Sequence, residues 1–202
     1  MSAANLSKGE NGAVIPEGAG SGILPIVDAD YRVVLSWRVE SGGNPFKRVD
    51  LDALAMTANA SKVWVGACHK KDKRPFNGAF RHGGDTKARP GQMASETIYF
   101  NLAKMVEDPD VVHNVFSITC FGNRMALAEL AELRVQLFSP DNQPILPGGR
   151  RGIEDPASAA LAFYVNGKTG AFQEVSNTYN VDGSAQKWRD LAAAAKGILP
   201  AA

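Results

Sequence analysis

Short stretches of alternating apolar and polar residues recur along this chain, separated by turn residues. Residues 32–39 show the pattern most regularly, because the apolar side chains Val33, Leu35, Trp37 and Val39 fall on one face of a predicted strand. Residues 62–67, 97–101, 111–121 and 133–138 are further strand candidates. Strands this short and this closely spaced predict a mainly β protein built as a sandwich.

A hairpin is predicted near the C-terminal end of the chain. Asn166 and Gly167 lie between the apolar segments 160–165 and 171–179. Asn-Gly between two apolar segments is a strong hairpin signal, because both residues tolerate the positive φ angles of a tight turn.

The clearest helical pattern covers residues 182–197. Asp182 or Ser184 can cap its first turn, and a glycine followed by a proline ends it. Trp188 and Leu191 belong to its apolar stripe. We therefore expect a C-terminal α-helix that packs against the sandwich through these two side chains.

Three other segments are less clearly patterned. Residues 49–56 suit a helix by propensity or a short strand by their flanking turns. The first thirty residues are rich in glycine and alanine, which predicts an extended lead-in. Residues 69–96 are polar, basic and glycine-containing, which predicts a long loop. With no linker in view, we expect a single domain over residues 1–202.

The composition is that of a globular protein with a core. Of the 202 residues 45% are hydrophobic and 21% are charged, and the net charge is +1. A charge this close to zero argues against a nucleic-acid or membrane binder, except through a local patch. The longest apolar stretches fall short of the roughly 20 residues that span a bilayer. Because residues 1–8 lack a secretory pattern, we expect a cytoplasmic protein.

Catalytic signatures are missing from the sequence, which predicts that the protein is not an enzyme. The three histidines, His69, His82 and His113, are far apart and do not form an HExxH motif, and no Walker loop, GxSxG elbow or dinucleotide fingerprint occurs. Cys68 and Cys120 lack a CxxC or Cys/His partner, so we expect two reduced, buried thiols.

Four motifs, taken in order, resemble the TerD domain family of bacterial tellurium-resistance and calcium-binding stress proteins. The opening Leu-Ser-Lys-Gly-x-Asn is present at residues 6–11, and the strand ending in Trp37 is followed by Asp-Leu-Asp-Ala at residues 50–53. His82-Gly-Gly-Asp85 precedes Glu96, and residues 160–186 carry a strand, an Asn-Gly hairpin and a second strand before the helix. The resemblance covers essentially the whole chain and implies a two-sheet β-sandwich.

The resemblance also implies that acidic loops hold calcium, with four positions as candidate ligands: Asp50, Asp52, Asp85 and Glu96. Calcium takes six to eight oxygens, mostly from carboxylates and carbonyls. The sequence departs from the family at Thr86, at Ala94 and Ser95, and in the basic residues 87–91. Two interpretations stay open: a calcium site with a reduced ligand set, or aspartates that pair with Arg48, Lys87 or Arg89.

A basic segment at residues 69–89 is the candidate interaction surface. It carries seven cations, Lys70, Lys71, Lys73, Arg74, Arg81, Lys87 and Arg89, with Phe76 and Phe80 between them. We expect a surface excursion that contacts a protein partner or another copy of the chain; nucleic acid is the weaker interpretation. The sequence thus favours a non-enzymatic TerD-like stress-response or interaction protein. The alternative is a structural component of a larger assembly, such as a phage virion.

Overall fold

The computed structural model describes residues 6–8, 14–16, 20–39, 49–69, 72, 74–84, 86–120, 127, 130–146, 157–179 and 187–199. The strands are β1 Leu6–Lys8, β2 Val14–Pro16, β3 Ser21–Ile23, β4 Asp30–Val39, β5 Val49–Ala58, β6 Trp64–Cys68, β7 Phe80–His82, β8 Lys87–Ala88, β9 Met93–Asn101, β10 His113–Cys120, β11 Leu130–Phe138, β12 Pro144–Leu146, β13 Ala159–Asn166, β14 Ala171–Glu174 and β15 Thr178–Tyr179. The helices are α1 Leu102–Glu107 and α2 Lys187–Ala195, with 3-10 turns at Phe76–Gly78 and Lys196–Ile198.

Two antiparallel sheets form the predicted mainly β, two-sheet sandwich. The first sheet has the order β3-β14-β13-β10-β5-β6, with β15 beside β13 and β8 beside β5. The second sheet has the order β12-β11-β4-β9-β7. The strands β1 and β2 pair with each other. That residues 1–202 form a single domain stays a prediction.

The core between the sheets follows from the alternation in the sequence. In β4 the odd positions from Tyr31 to Val39 are buried and pack with the inward side chains of β5 and β9. A second apolar cluster lies on the outer side of the first sheet, where Leu191 of α2 packs with Leu54 and Met56 of β5. This cluster confirms the predicted helix and its contact, since Trp188 also packs against it. The two candidate caps lie outside the described residues.

Residues 49–56, for which the sequence left helix or strand open, belong to β5. Alternate residues of β5 face different clusters: Leu51, Ala53 and Ala55 lie between the sheets, while Leu54 and Met56 lie under α2. A strand buried on both faces loses the apolar and polar alternation that identifies a half-exposed strand. The lead-in also contributes to the sheet, because β3 pairs with β14.

The prediction of a long loop at residues 69–96 is wrong. This segment holds a 3-10 turn, β7, β8 and the start of β9. Phe80 is fully buried, with its ring 6.2 Å from that of Phe116, and Phe76 packs against the same core and lies over Gly66. Its description as a surface excursion rather than a core element is therefore wrong for Phe76, Phe80, His82 and Ala88, which are buried or packed against the core. The pairing of β7 with β9 makes this segment part of the second sheet, although its polar composition predicts a loop.

Both cysteines are buried as thiols, as predicted. Burial raises the pKa of Cys68 to about 12, and the nearby Asp72 carboxylate adds to the rise. Within the described ranges, no helix has the length and apolar character needed to cross a lipid bilayer.

Candidate metal centre

The candidate site lies at an interruption in the strand pairing along β5. One side of β5 pairs with β10 from Leu51 to Ala58. On the other side, β8 pairs with Val49 and Asp50, and β6 pairs with β5 only from Ala55 onwards. Within the described residues, no strand pairs with β5 between these two partners. Backbone groups at this interruption need other partners, because a buried unpaired N–H group is costly.

Glu96 of β9 supplies one such partner. Its Oε2 accepts a hydrogen bond from the backbone N–H of Ala53 at 2.9 Å, and its Oε1 accepts one from the N–H of Thr86 at 3.2 Å. Glu96 is 2% exposed. A glutamate from the second sheet therefore joins β5 of the first sheet to the residue that precedes β8.

Asp50 and Asp52 bring two further carboxylates to the same place. They lie two residues apart on β5, so strand geometry directs both side chains to one side. One oxygen from each aspartate and one from Glu96 all lie within 4.8 Å of one another. Because calcium binds oxygen at 2.3–2.6 Å, oxygens separated by up to about 5 Å can share one ion. The geometry of these three carboxylates therefore fits a divalent cation.

His82 lies beside this cluster, and its role was missed by the sequence analysis. Its imidazole is fully buried, with Nε2 3.5 Å from Glu96 Oε2. Nδ1 accepts a hydrogen bond from the N–H of Gly84 at 3.2 Å, so a neutral ring carries its proton on Nε2, facing the glutamate. His82 thus orients a donor towards Glu96. The motif His82-Gly-Gly-Asp85 held the signal, but only its aspartate was considered as a ligand.

Thr119 of β10 adds a buried hydroxyl next to Asp52. The two residues are partners in the β5 and β10 register, so their side chains share one face. Thr119 is fully buried, and its Oγ1 has no hydrogen-bond partner among the described residues. A buried hydroxyl with unused hydrogen-bonding capacity is uncommon in proteins, and a water molecule or a cation can satisfy it. Nothing in the local sequence indicates this position, because it depends on strand register.

Lys87 places an ammonium group beside one carboxylate of the cluster. It is the cross-strand partner of Asp50, and its Nζ lies 3.0 Å from Asp50 Oδ2. The Lys87 side chain is 45% exposed, whereas that of Asp50 is 13% exposed. The aspartate pairing that the sequence left open is therefore present for Asp50 and Lys87.

Three of the four predicted ligands come together in this way, namely Asp50, Asp52 and Glu96. Asp85 lies outside the described residues, although its neighbour Gly84 donates a hydrogen bond to His82 and its neighbour Thr86 donates one to Glu96. That these four residues bind a metal ion stays a prediction.

Solved structures with the same architecture exist. A homologue of the telluride resistance protein TerD from Streptomyces coelicolor A3(2) matches with a TM-score of 0.61 and 18% identity, over 80% of this chain and 93% of that one. The fold is TerD-like. A second crystal structure, of a protein of unknown function, matches with a TM-score of 0.61 and 14% identity, over 79% of this chain and 94% of that one.

The likeness at these identities concerns the TerD-like fold alone. No protein-family model matches the chain, and the search of curated proteins finds no significant match. The comparisons therefore confirm the architecture that the resemblance implied. The chemistry proposed for the TerD-like sandwich therefore rests on the residues at the interruption in β5.

Proposed function

We propose that this chain is a non-enzymatic TerD-like protein of the cytoplasm that binds calcium with a reduced ligand set and acts in a stress response through protein partners. The observation that carries the proposal is the convergence of Asp50, Asp52 and Glu96 within 4.8 Å. All three donors are carboxylate oxygens, which suit a hard cation such as calcium.

The two sheets are joined at this site, which gives a bound cation a structural effect. Asp50 and Asp52 belong to β5 of the first sheet and Glu96 to β9 of the second. Calcium held by these residues would neutralise carboxylates that otherwise repel one another across the two sheets. Asp85 stays a candidate fourth ligand. Binding of this kind stabilises the folded chain in proportion to the logarithm of the calcium concentration.

Calcium titration calorimetry tests the proposal on the wild-type chain and Asp52→Asn. The asparagine keeps the size of the side chain and removes one charge, so we expect at least a tenfold loss of affinity, since affinity follows ligand charge. Asp190→Asn changes an exposed aspartate in α2 and serves as the matched control. Wild-type affinity in Asp52→Asn would refute the assignment of the site.

Fewer side chains of residues 69–89 are available to contact a partner than the sequence predicts. Phe80 is in the core, Arg81 pairs with Asp30 at 3.2 Å and Lys87 pairs with Asp50. Lys70, Lys71 and Lys73 lie outside the described residues. Contact with a partner through this segment therefore stays a prediction that rests on its remaining charges.

A second candidate function is a structural component of a larger assembly, such as a virion. Exposed apolar side chains favour it, because Ile23 is 76% exposed and Ile26 is 47% exposed. They lie at or next to a groove of about 470 Å³ that Tyr31 and Phe172 help to line. Exposed apolar patches of this kind mark interaction sites. Mass photometry separates the candidates, since a monomer favours the stress protein and a ring or lattice favours the assembly.

A further inference from the structure

We propose that Lys87 competes with the divalent cation, because the ammonium group of Lys87 occupies one carboxylate of the site. The inference rests on the calcium site proposed above and concerns how that site is regulated. Its consequence is a TerD-like fold that is stable without calcium and binds the ion more weakly than its carboxylates alone would allow.

The position of the Lys87 ammonium is set by the fold. β8 pairs with β5 in a register that places Lys87 opposite Asp50, where Nζ reaches Oδ2 at 3.0 Å. The preceding residue, Thr86, is held by its backbone N–H on Glu96 Oε1 at 3.2 Å. Two successive residues therefore contact the carboxylate cluster, Thr86 through its backbone N–H group and Lys87 through its ammonium group.

Two buried groups show that this cluster is more than a set of surface charges. Thr119 Oγ1 lies on the face of Asp52 with no hydrogen-bond partner among the described residues, and the His82 ring is directed at Glu96 from a fully buried position. The Thr119 hydroxyl is therefore a buried oxygen that a cation at the cluster could use. The Lys87 ammonium pairs with the outer carboxylate, Asp50, which is the most exposed of the three.

Charge arithmetic gives the direction of the effect. The three carboxylates of the site carry formal negative charges, and the Lys87 ammonium offsets one of them. An incoming calcium ion must either displace the ammonium from Asp50 or bind beside a like charge, and both weaken binding. At a separation of about 5 Å and an effective dielectric constant of about 40, Coulomb's law gives a repulsion large enough to lower the affinity more than tenfold.

The test compares wild-type chain with Lys87→Met, which keeps the length of the side chain and removes its charge. Titration calorimetry with calcium alone is expected to give an affinity at least about tenfold higher for Lys87→Met. Lys87→Arg keeps the charge and should bind as weakly as the wild type. Lys104→Met removes an exposed lysine from α1 and should leave the affinity unchanged.

Thermal unfolding provides a second readout that does not depend on the calorimeter. In chelator, Lys87→Met should unfold at a lower temperature than the wild type, because its carboxylates repel one another without the ammonium. Added calcium should raise its midpoint by more than it raises that of the wild type. Lys87→Gln is measured in parallel, so that a folding defect in one variant leaves the comparison intact.

The outcomes separate this inference from the proposed function. If the wild type binds calcium and the Lys87→Met and Lys87→Gln variants bind no more tightly, the competitor role is wrong and the calcium site stands. If Lys87→Arg gains affinity as Lys87→Met does, the charge is not the cause, and the inference is again overturned. If neither the wild type nor any Lys87 variant binds calcium, the proposed function itself fails, and the competitor role fails with it.

Discussion

The two halves of β5 differ in chemistry although they form one continuous strand. Asp50 and Asp52 occupy alternate positions in the first half, and the same alternate positions in the second half hold Leu54 and Met56. The neighbouring strand β10 changes in parallel, since Thr119 is opposite Asp52 and Val115 is opposite Met56. The first half meets Glu96 and Lys87, whereas the second half is covered by α2.

The comparison shows that burial alone does not distinguish a site from a core. Asp52 is 1% exposed and Leu54 is 2% exposed, so a carboxylate and an apolar side chain of the same strand are equally buried. A buried apolar side chain stabilises the fold by its transfer from water, whereas a buried carboxylate is tolerated only with partners. The two halves should therefore respond differently to substitution, and the predictions below test that difference.

The largest effect is expected in the apolar half, from Leu191→Ala in α2. Leu191 is fully buried against Leu54 and Met56, so its truncation leaves a cavity between the helix and the sheet. We expect the free energy of unfolding to fall by about 2–5 kcal/mol. Denaturant unfolding measures this change, and Lys196→Ala, an exposed position, should cost less than about 0.5 kcal/mol. A small effect of Leu191→Ala would mean that α2 does not cover the sheet.

A smaller loss is expected in the polar half, from Glu96→Ala. The alanine removes the acceptor of the buried Ala53 N–H group and of the partly buried Thr86 N–H group, and an unsatisfied buried donor costs about 1–3 kcal/mol. Loss of carboxylate repulsion offsets part of that cost, so we expect a net loss of about 2 kcal/mol. The measurement is denaturant unfolding in chelator.

Glu96→Gln is the matched variant for this prediction. Its side-chain carbonyl keeps one acceptor in place, so we expect a loss smaller than that of Glu96→Ala, while calcium binding should fall in both variants. If the two variants are equally stable, the hydrogen bonds of Glu96 do not hold the two sheets together, and the contrast between the halves of β5 is weaker than the structure implies.

How much of the fold could be predicted from the sequence depends on how local each signal is. The alternation in the sequence predicts β4, because one face is buried and the other is not, and Asn166-Gly167 predicts the hairpin of β13 and β14. The positive φ of that turn lies at Gly170, whereas Asn166 Oδ1 accepts hydrogen bonds from the N–H groups of Lys168 and Thr169. β5 remained ambiguous because both of its faces are covered. The short strands β7 and β8 could not be predicted, since they are defined by pairing with β9 and β5 far along the chain.

The candidate site divides in the same way. Asp50, Asp52 and Glu96 were identified through a resemblance in motif order, and the structure brings them within 4.8 Å. The positions of His82 and Thr119 depend on which strands are neighbours and in which register. His82 belongs to the motif His82-Gly-Gly-Asp85, whereas no local pattern indicates Thr119, which only the tertiary structure could place beside the carboxylates.

The smallest expected effect concerns a polar pair at the far end of the apolar half. His113 of β10 is opposite Ala58, and its Nδ1 lies 2.8 Å from the hydroxyl of Tyr164. Burial lowers the pKa of His113, and the nearby Lys62 charge lowers it further. Burial also raises the pKa of Tyr164 to about 12, so its hydroxyl keeps its proton and can donate to a neutral imidazole.

The sign of the resulting pH dependence follows from linkage. The unfolded chain takes up a proton on His113 at a higher pH than the folded chain does, so folding favours the neutral ring. This contribution to stability is fully present above the ordinary pKa of histidine, about 6.5, and is lost as the pH falls through the lower pKa of the folded state. Acidification below about pH 6.5 should therefore reduce the free energy of unfolding.

His113→Gln isolates this contribution, because glutamine does not titrate and can still accept a hydrogen bond from Tyr164. Denaturant unfolding of both chains is compared from pH 7.5 down to about pH 5, the range in which a histidine of lowered pKa acts. We expect the wild type to lose more stability than His113→Gln as the pH falls, with the gap opening below about pH 6.5. Parallel pH profiles would show that His113 takes up its proton equally well in the folded and unfolded chains, which its burial beside Tyr164 argues against.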